Sequence, residues 1–281
     1  MSHRSALPPL AKRLLVAAGA VLLLAASPAP PPPAELTYLG NEGVLIRVGG
    51  QQVAVDALHR EFPRPPHYEH LPEEHREKLE TARPPFDGIR VHLTTHIHAD
   101  HFHADSVGRF LESSRGMDLV VPREAPAEVC RERPPEKCAA SPRLHAMKKG
   151  WGREKVFTFG DVRVTVLDLP HAKGARTMVD NLGYIIEMEG RRFLHVGDAH
   201  MDRETFERFR LPRRKIDYAL LPYWYLLDED GRKLVREHIG AKHVVAFHVP
   251  PSEHASAAME IHQHLPDALV LTRMMETLRL P

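Results

Sequence analysis

The sequence predicts an α/β protein, in which many short strands alternate with scattered helices. Short apolar runs rich in β-branched residues recur along the chain, and turn residues such as Gly, Pro and Asn separate them. Other segments instead place their apolar side chains at helical spacing. The chain has 281 residues, of which 43% are hydrophobic, so it is long enough to bury a sizeable core.

The first half of the chain begins with three apolar runs, LTYLG, GVLIRVG and QQVAVDA, and these predict antiparallel strands. Residues 59–87 are charged and rich in proline, and PEEHREKLETA within them predicts a helix. We interpret this segment as a helical insertion over one edge of the domain. GIRVHLTT then predicts a buried strand, and ADSVGRFLES predicts a helix with Val107, Phe110 and Leu111 on one face.

The second half continues the same alternation. Strands are predicted at DLVVP, KVFTFG, VRVTVLDL, LGYIIEMEG, RRFLHVG, DYALLP and HVVAFHV. Helices are predicted at RETFERFR, LVREHIG and SAAMEIHQHL. The sequence contains no internal repeat and no Gly-rich phosphate loop.

The N-terminal residues predict a targeting segment. Arg4, Lys12 and Arg13 precede the apolar run LLVAAGAVLLLAA, whose length is typical of a secretory signal. Residues 1–26 are expected to form a signal peptide or an uncleaved anchor, and residues 27–34 a Pro-rich linker. Residues 35–281 are expected to form the folded domain. We therefore expect an exported protein, which is periplasmic, extracellular or tethered to a membrane and facing outward.

The two cysteines agree with export. Cys130 and Cys138 flank RERPPEK, a short polar segment with two prolines. In an oxidising compartment these residues are expected to form a disulfide, and two unpaired thiols are the alternative.

The charge balance and the histidine content indicate a metal-binding protein rather than a nucleic-acid-binding one. The chain carries 38 basic and 37 acidic residues, and no basic stripe marks a nucleic-acid footprint. Its 20 histidines are more than surface chance explains, which suggests that some of them bind metal.

The densest group of histidines is TTHIHADHFHADS, which begins at Thr94. His96 and His98 alternate on an extended segment, so their imidazoles are expected to project to the same side. The following helix is expected to carry Asp100 and His101 in its first turn. Imidazole nitrogens mixed with a carboxylate are the ligands that a two-metal site needs.

The motif His96-x-His98-x-Asp100-His101 resembles the H-x-H-x-D-H signature of the metallo-β-lactamase superfamily. The resemblance extends over residues 35–275 and includes YLGNEGVLI, DLPHA, DNLGYIIEMEGRRFLHVGDA and VVAFHVPP. It implies an αββα four-layer sandwich with metal ions at one edge, between the two sheets.

The resemblance also implies a ligand set for two divalent ions, with zinc expected first and manganese or iron as alternatives. One ion would be bound by His96, His98 and His171. The other would be bound by Asp100, His101 and His248, and Asp198 would bridge the two ions. The last three ligands in sequence, His171, Asp198 and His248, each follow an apolar strand, where loops can converge on a rigid site.

Four further features have open roles. His200 follows the bridging aspartate closely enough to contact substrate and could donate a proton to a leaving group. Asp56 ends a strand, and it either orients a ligand histidine or simply begins a turn. The aromatic stretch Tyr223–Leu227 either walls the pocket or packs in the core. His103 stands where relatives often carry aspartate, and no role is assigned to it.

A water shared by two zinc ions about 3.5–4 Å apart loses a proton near neutral pH and becomes a nucleophile. The resemblance therefore implies hydrolysis of an ester, lactone, amide or phosphodiester by a bridging hydroxide, which Asp100 could orient. The pattern is most similar to the branch of ascorbate-phosphate lactonases and N-acyl-phosphatidylethanolamine-hydrolysing phospholipases. We accordingly expect a small-molecule or lipid-like substrate.

Several relatives offer alternatives. Glyoxalase-II-like thioesterases share the bridging aspartate, whereas true β-lactamases of this fold usually lack a residue like Asp198. Flavodiiron oxidoreductases generally carry Glu where His98 stands. An iron-dependent oxidoreductase similar to the sulfur dioxygenases and a non-catalytic zinc-binding module both stay open.

Overall fold

Two β-sheets pack face to face, with helices on both outer faces, in the computed structural model of the protein. The structure describes residues 32–60, 68–114, 116–131, 133, 141–147, 153–172 and 179–281. Residues 31–281 form one compact unit. The predicted signal or anchor lies outside the described residues. Within the described ranges, no helix is long and apolar enough to cross a membrane.

The described residues form a first sheet of seven strands in the order β14-β1-β2-β3-β4-β5-β6. These strands are β1 Ala34–Gly40, β2 Gly43–Val48, β3 Gln51–Val55, β4 Ile89–Leu93, β5 Asp118–Val121, β6 Leu144–Ala146 and β14 Thr277–Leu280. The strands from β1 to β3 pair antiparallel, as the sequence predicts, and those from β3 to β6 pair parallel.

The second sheet also has seven strands among the described residues, in the order β13-β12-β11-β10-β9-β8-β7. They are β7 Glu154–Phe159, β8 Val162–Asp168, β9 Leu182–Met188, β10 Arg191–His195, β11 Tyr218–Pro222, β12 His243–Phe247 and β13 Leu269–Val270. The strands from β7 to β10 pair antiparallel, and those from β10 to β13 pair parallel.

The helices divide between the two outer faces. They are α1 Glu73–Glu80, α2 Ala104–Ser113, α3 Ala125–Arg131, α4 Arg203–Glu207, α5 Trp224–Leu227, α6 Glu229–Leu234 and α7 His254–His264. Short 3₁₀ helices span Leu211–Arg214 and Pro251–Glu253, and a π-helical turn spans Val235–Ile239. Side chains from α1 to α3 join the core of the first sheet, and those from α4 to α7 join that of the second.

Side chains that alternate along the strands build three layers of core between the four layers of structure. On β2, Val44 and Ile46 lie between the sheets, whereas Leu45 packs towards the first helical layer. On β11, Leu220 lies between the sheets and Leu221 packs towards the second helical layer. The predicted α/β class and the αββα four-layer sandwich are confirmed.

The turn that carries the histidine motif differs from the expectation. Helix α2 begins at Ala104, so Asp100 and His101 lie in the turn before the helix and not in its first turn. His103 is the reason, because its backbone is extended and its side chain accepts a hydrogen bond from the Ser106 amide. A side chain that caps the helix in this way sets where the helix begins.

Of the two cysteines in the predicted disulfide, the structure describes Cys130. Cys130 lies on α3 and is disulfide-bonded. Its expected partner, Cys138, lies outside the described residues, so the pairing stays a prediction.

Candidate metal centre

Polar side chains gather at one edge of the sandwich, where strands of both sheets end. In the first sheet, β1, β3 and β4 run in the same direction, and so do β8, β10 and β12 in the second. Each of these strands is followed within a few residues by a buried or half-buried polar residue, which are Glu42, Asp56, His96, His171, Asp198 and His248. The loops after parallel strands thus converge on one site.

Four side chains form the first group. His96, His98, His171 and Asp198 each offer one ligand atom, and these atoms all lie within 4.8 Å of one another. The Oδ2 atom of Asp198 is 3.5 Å from the Nε2 atom of His171 and 3.8 Å from that of His96. The arrangement is the one that the sequence predicts for the first ion.

The second group lies on the other side of Asp198. Its Oδ1 atom is 3.4 Å from the Nε2 atom of His248, and its Oδ2 atom is 3.8 Å from the Nε2 atom of His101. The Oδ2 atom of Asp100 is 3.7 Å from both of these imidazole nitrogens. Asp198 therefore faces both groups at once, as a bridging ligand must.

The free ligand atoms of the centre lack partners. The Nε2 atoms of His96, His101, His171 and His248 are buried without a hydrogen-bond partner, and so is the Oδ1 atom of Asp198. An unsatisfied buried polar atom is costly and rare, so a convergent group of them requires an explanation. Imidazole nitrogens and carboxylate oxygens are ligands for divalent ions, and the residues present therefore fit two such ions.

The pKa shifts of His96 and Asp198 suit metal binding, which needs neutral imidazoles and ionised carboxylates. Burial, together with the neighbouring His101, holds the pKa of His96 well below its ordinary value. Burial alone would raise the pKa of Asp198, but the neighbouring imidazoles of His248 and His171 outweigh it and hold that pKa well below its ordinary value.

Asp56 orients a ligand histidine, as one of the two interpretations of the sequence proposes. Its Oδ2 atom lies 3.0 Å from the Nδ1 atom of His101, which leaves the Nε2 atom of that ring directed at the centre. Its other oxygen accepts a hydrogen bond of 2.7 Å from the Thr95 amide. Such an outer partner fixes both the tautomer and the direction of a ligand imidazole.

Two asparagines hold the ligand loops, and the sequence did not single out either of them. The side-chain amide of Asn181 donates to the carbonyls of Leu169 and Val196, and its oxygen accepts from the Asp198 amide. Asn181 thus joins the loop of His171 to that of Asp198. The side-chain amide of Asn41 donates to the backbone oxygen of Asp100 at 3.0 Å.

Glu42 is a further residue that the sequence did not indicate as part of the site. It lies in the turn between β1 and β2 and is wholly buried. One of its carboxylate oxygens, together with ligand atoms of His101, Asp198 and His248, forms a set within 4.8 Å. The available signal was a glutamate between two strongly apolar strands, but Asn-Glu-Gly is also an ordinary hairpin turn.

The aromatic stretch after β11 divides between the two expected roles. The ring of Trp224 lies 5.2 Å from the ring of His248, so it borders the centre. Tyr225 is instead buried in the core and donates a hydrogen bond to the Ala199 carbonyl. Tyr68, which the sequence did not single out, packs edge-on against His248 with ring centroids 4.6 Å apart.

His200 lies beside the centre but outside both ligand groups. Its backbone amide donates to the Pro170 carbonyl at 2.7 Å, and its side chain is partly exposed near Asp202. His200 is therefore not part of either ligand group, and its predicted contact with substrate stays a prediction. His103 caps helix α2, which gives this residue a structural role.

A family model described as a β-lactamase superfamily domain matches residues 66–272, which is well over half of the chain. The chain belongs to the metallo-β-lactamase superfamily. The predicted family is therefore confirmed, and the predicted branch within it stays a prediction. No curated protein matches the sequence.

Several solved structures share the superfamily fold. An isothiocyanate hydrolase from Delia radicum gut bacteria has a TM-score of 0.58 at 16% identity, over 88% of this chain and 99% of that one. Igni18, a metallo hydrolase from Ignicoccus hospitalis, has a TM-score of 0.56 at 17% identity, over 89% and 99%.

CmlA, a diiron β-hydroxylase from Streptomyces venezuelae, has a TM-score of 0.58 at 16% identity, over 90% of this chain. The chain spans only 55% of the length of CmlA. At such identities these likenesses establish the fold, and the named neighbours include two hydrolases and a diiron β-hydroxylase.

Proposed function

We propose that the protein is an exported metal-dependent hydrolase with a dinuclear centre, which cleaves an ester, lactone or phosphodiester bond in a small-molecule or lipid-like substrate. One observation carries the proposal. The Nε2 atoms of His96, His101, His171 and His248 are buried without hydrogen-bond partners around the carboxylate of Asp198.

The ions themselves would be held by the two ligand groups, with zinc expected first and manganese or iron as alternatives. Two bound divalent ions supply an activated water as nucleophile and Lewis-acid stabilisation of the charge that develops on the substrate oxygen. No serine or cysteine nucleophile is needed for this chemistry.

The remaining work falls to residues of the chain. Asp100 is held by Asn41 and can accept a hydrogen bond from the attacking water, which orients it. The rings of Trp224 and Tyr68 flank His248 and offer an apolar wall against which the rest of a substrate can pack. His200, on the loop after Asp198, would pass a proton to a leaving group.

The test combines metal analysis with a screen of ester, lactone, amide and phosphodiester substrates. We expect activity to disappear on chelation, to return with zinc or manganese, and to be absent from Asp198→Ala. Fully metallated protein that hydrolyses none of these bond classes would favour a zinc-binding module instead.

An iron-dependent oxidoreductase is the second candidate, because carboxylates crowd the second ligand group. CmlA, a diiron β-hydroxylase, has a similar fold, which is a further reason to test this candidate. Purified protein that holds iron and consumes oxygen with a sulfur substrate, but hydrolyses nothing, would support this alternative.

The role of His200 has its own test. His200→Ala should retain two metal ions and slow turnover most for substrates with poor leaving groups, by about 100-fold or more, as the loss of a general acid does. The exposed His264→Ala serves as the control. Loss of metal would make His200 a ligand, and equal slowing for good and poor leaving groups would exclude the acid role.

Export rests on the sequence of the first 26 residues and on the cysteine pair. Fractionation of cells should find the protein outside the cytoplasm, either soluble or tethered to the membrane. Thiol labelling there should find Cys130 and Cys138 blocked until a reductant is added. Two free thiols in the extracytoplasmic fraction would contradict the pairing.

A further inference from the structure

Glu42 is a buried carboxylate whose two oxygens have no hydrogen-bond partner. Its side chain has no exposed surface, and both Oε1 and Oε2 lie among the unsatisfied buried atoms. An ionised carboxylate in such surroundings is strongly disfavoured unless a positive charge or several hydrogen bonds compensate for the lost water, and without them the group takes up a proton instead.

Glu80 gives a direct contrast within the same chain. Its side chain is equally buried, but its oxygens lie 3.0 Å from Arg60, 3.8 Å from Arg76 and 2.8 Å from Arg109. Within the described ranges, Glu42 has no arginine or lysine partner. Arginine side chains thus compensate for the buried charge of Glu80, whereas no such side chain compensates for that of Glu42.

The imidazole nearest to Glu42 does not compensate for it. The Oε2 atom of Glu42 is 3.4 Å from the Nδ1 atom of His101, but that nitrogen is already 3.0 Å from Asp56. One N–H group cannot fully satisfy both carboxylates. Asp198 lies in the same cluster and adds a further negative charge.

The turn that holds Glu42 is built to bring it here. Gly40 and Asn41 both have left-handed backbones, with φ values of 98° and 47°. A Cβ atom on Gly43 would come 2.9 Å from the Gly40 carbonyl and 3.1 Å from that of Asp56, so the turn is tightly packed on the neighbouring loop. The tight packing of this turn therefore fixes the Glu42 side chain beside His101, Asp198 and His248.

We propose that Glu42 is an additional carboxylate ligand of the ion held by His101 and His248. With Asp100 and Asp198, this ion then faces three carboxylates, whereas the other ion faces three imidazoles and one carboxylate. Oxygen-rich sites suit manganese or iron(II), and nitrogen-rich sites suit zinc. The two positions therefore prefer different metals. The inference rests on the proposed function only in that both require ions at this centre.

The test measures metal binding rather than turnover. Metal-free protein receives one equivalent of Zn²⁺ per chain and then excess Mn²⁺, because excess zinc would displace manganese from either position. The metals on each chain are counted by native mass spectrometry. Wild-type protein should take up one zinc and one manganese. Glu42→Gln, which has nearly the same shape, should keep the zinc and bind manganese at least about 100-fold more weakly, the upper range for loss of an outer partner.

Glu80→Gln is the matched control, because it also removes a buried carboxylate, and it should bind both metals like wild type. Unchanged manganese affinity in a folded Glu42→Gln protein would overturn the inference. Should that variant fail to fold, the wild-type distribution at one equivalent of zinc decides. Chains that each carry one zinc and one manganese support the inference, and a mixture of chains with two zinc ions and chains with two manganese ions overturns it.

The outcome is separable from that of the proposed hydrolysis. If no substrate is cleaved but wild type binds two ions and Glu42→Gln binds one, the ligand assignment holds and the hydrolase proposal fails. If wild type binds no metal, both are wrong.

Discussion

The half of the centre around His96 and the half around His248 meet at Asp198 but are built differently. The first takes two of its three imidazoles from a single stretch of loop, His96 and His98, and part of its surface is open to solvent. The second is buried and draws on the β1–β2 turn, the histidine motif and the loop after β12. The histidine motif supplies two residues to each half, His96 and His98 to the first and Asp100 and His101 to the second. Apart from Asp198, the first half is completed by one further loop, whereas the second half also needs the β1–β2 turn.

The difference in ligand chemistry gives the largest expected effects. His96→Ala should lose the ion of the nitrogen-rich half, and His248→Ala should lose the ion of the other half, because each removes a direct ligand. Hydrolysis should fall to background in both, since both ions contribute to the reaction. Metal counts per chain and initial rates check this, with His264→Ala as control. Loss of both ions, or of neither, from either variant would contradict two distinct positions.

The second half also depends on Asp56, which sharpens the comparison. Asp56→Asn weakens the partner of His101 and should lower metal affinity or activity by about 10–100-fold, as loss of an outer partner does. The ion near His96 should be retained. Asp118→Asn is the control, because Asp118 also pairs with a histidine, His145 at 2.7 Å, on strands away from the centre. Equal effects of the two substitutions would exclude a specific role for Asp56.

Substitution of Gly197 tests how the loop that carries Asp198, the residue shared by both halves, is held in place. Its φ is +57°, and a Cβ atom there would lie 2.4 Å from the Asn181 side-chain oxygen. Gly116 also has a left-handed backbone, with φ of +80°, but open space around it. Gly116→Ala should cost about 1 kcal/mol of unfolding free energy from the backbone alone. Gly197→Ala should cost about 1–3 kcal/mol more through overpacking, and should also reduce metal binding.

Urea unfolding of the two alanine variants measures these costs. Equal free energies of unfolding would show that the Asn181 contact does not matter. A destabilised Gly197→Ala variant with unchanged metal affinity would separate the fold of this loop from the placement of Asp198.

The last expected effect is confined to acid pH and concerns His92, which contacts the loop of Asp56. Its Nε2 atom accepts from the Ala57 amide at 3.2 Å, and burial lowers its pKa to about 4. The unfolded chain binds this proton below about pH 6.5, whereas the folded chain does so only near pH 4. Stability is therefore lost as pH falls through this window, by about 1.4 kcal/mol per pH unit for this histidine.

Urea unfolding of metal-free protein between neutral pH and the pKa of His92 checks this slope. His92→Gln should unfold with a shallower pH dependence than wild type, whereas the exposed His264→Gln should match wild type. Equal slopes for wild type and His92→Gln would mean that the buried ring does not resist protonation.

The sequence alone predicts those parts of the molecule that local pattern determines. Alternating apolar runs predict the central strands, and the spacing from His96 to His101 predicts one ligand cluster. The short strands β6, β13 and β14 were not predicted, because two to four residues carry no periodic signal. The same holds for α5, a single turn of two aromatic residues and two leucines.

Contacts that join distant segments could not be predicted from pattern. Asn181 looks like a loop asparagine, and only the structure brings its amide to the carbonyls of two other loops. Glu42 looks like a turn residue until the second sheet closes over it. The start of α2 depended on a histidine cap, which general cap preferences do not favour.

The most direct test of a dinuclear hydrolytic centre is the rate of hydrolysis as a function of bound metal per chain. Metal-free protein is titrated with zinc or manganese, and each sample is assayed on the best ester, lactone or phosphodiester found in the screen. We expect little activity at the first equivalent, a rise that is complete at two equivalents, and no activity at any loading for Asp198→Ala. A rate that does not depend on metal, or one that persists in Asp198→Ala, would contradict it.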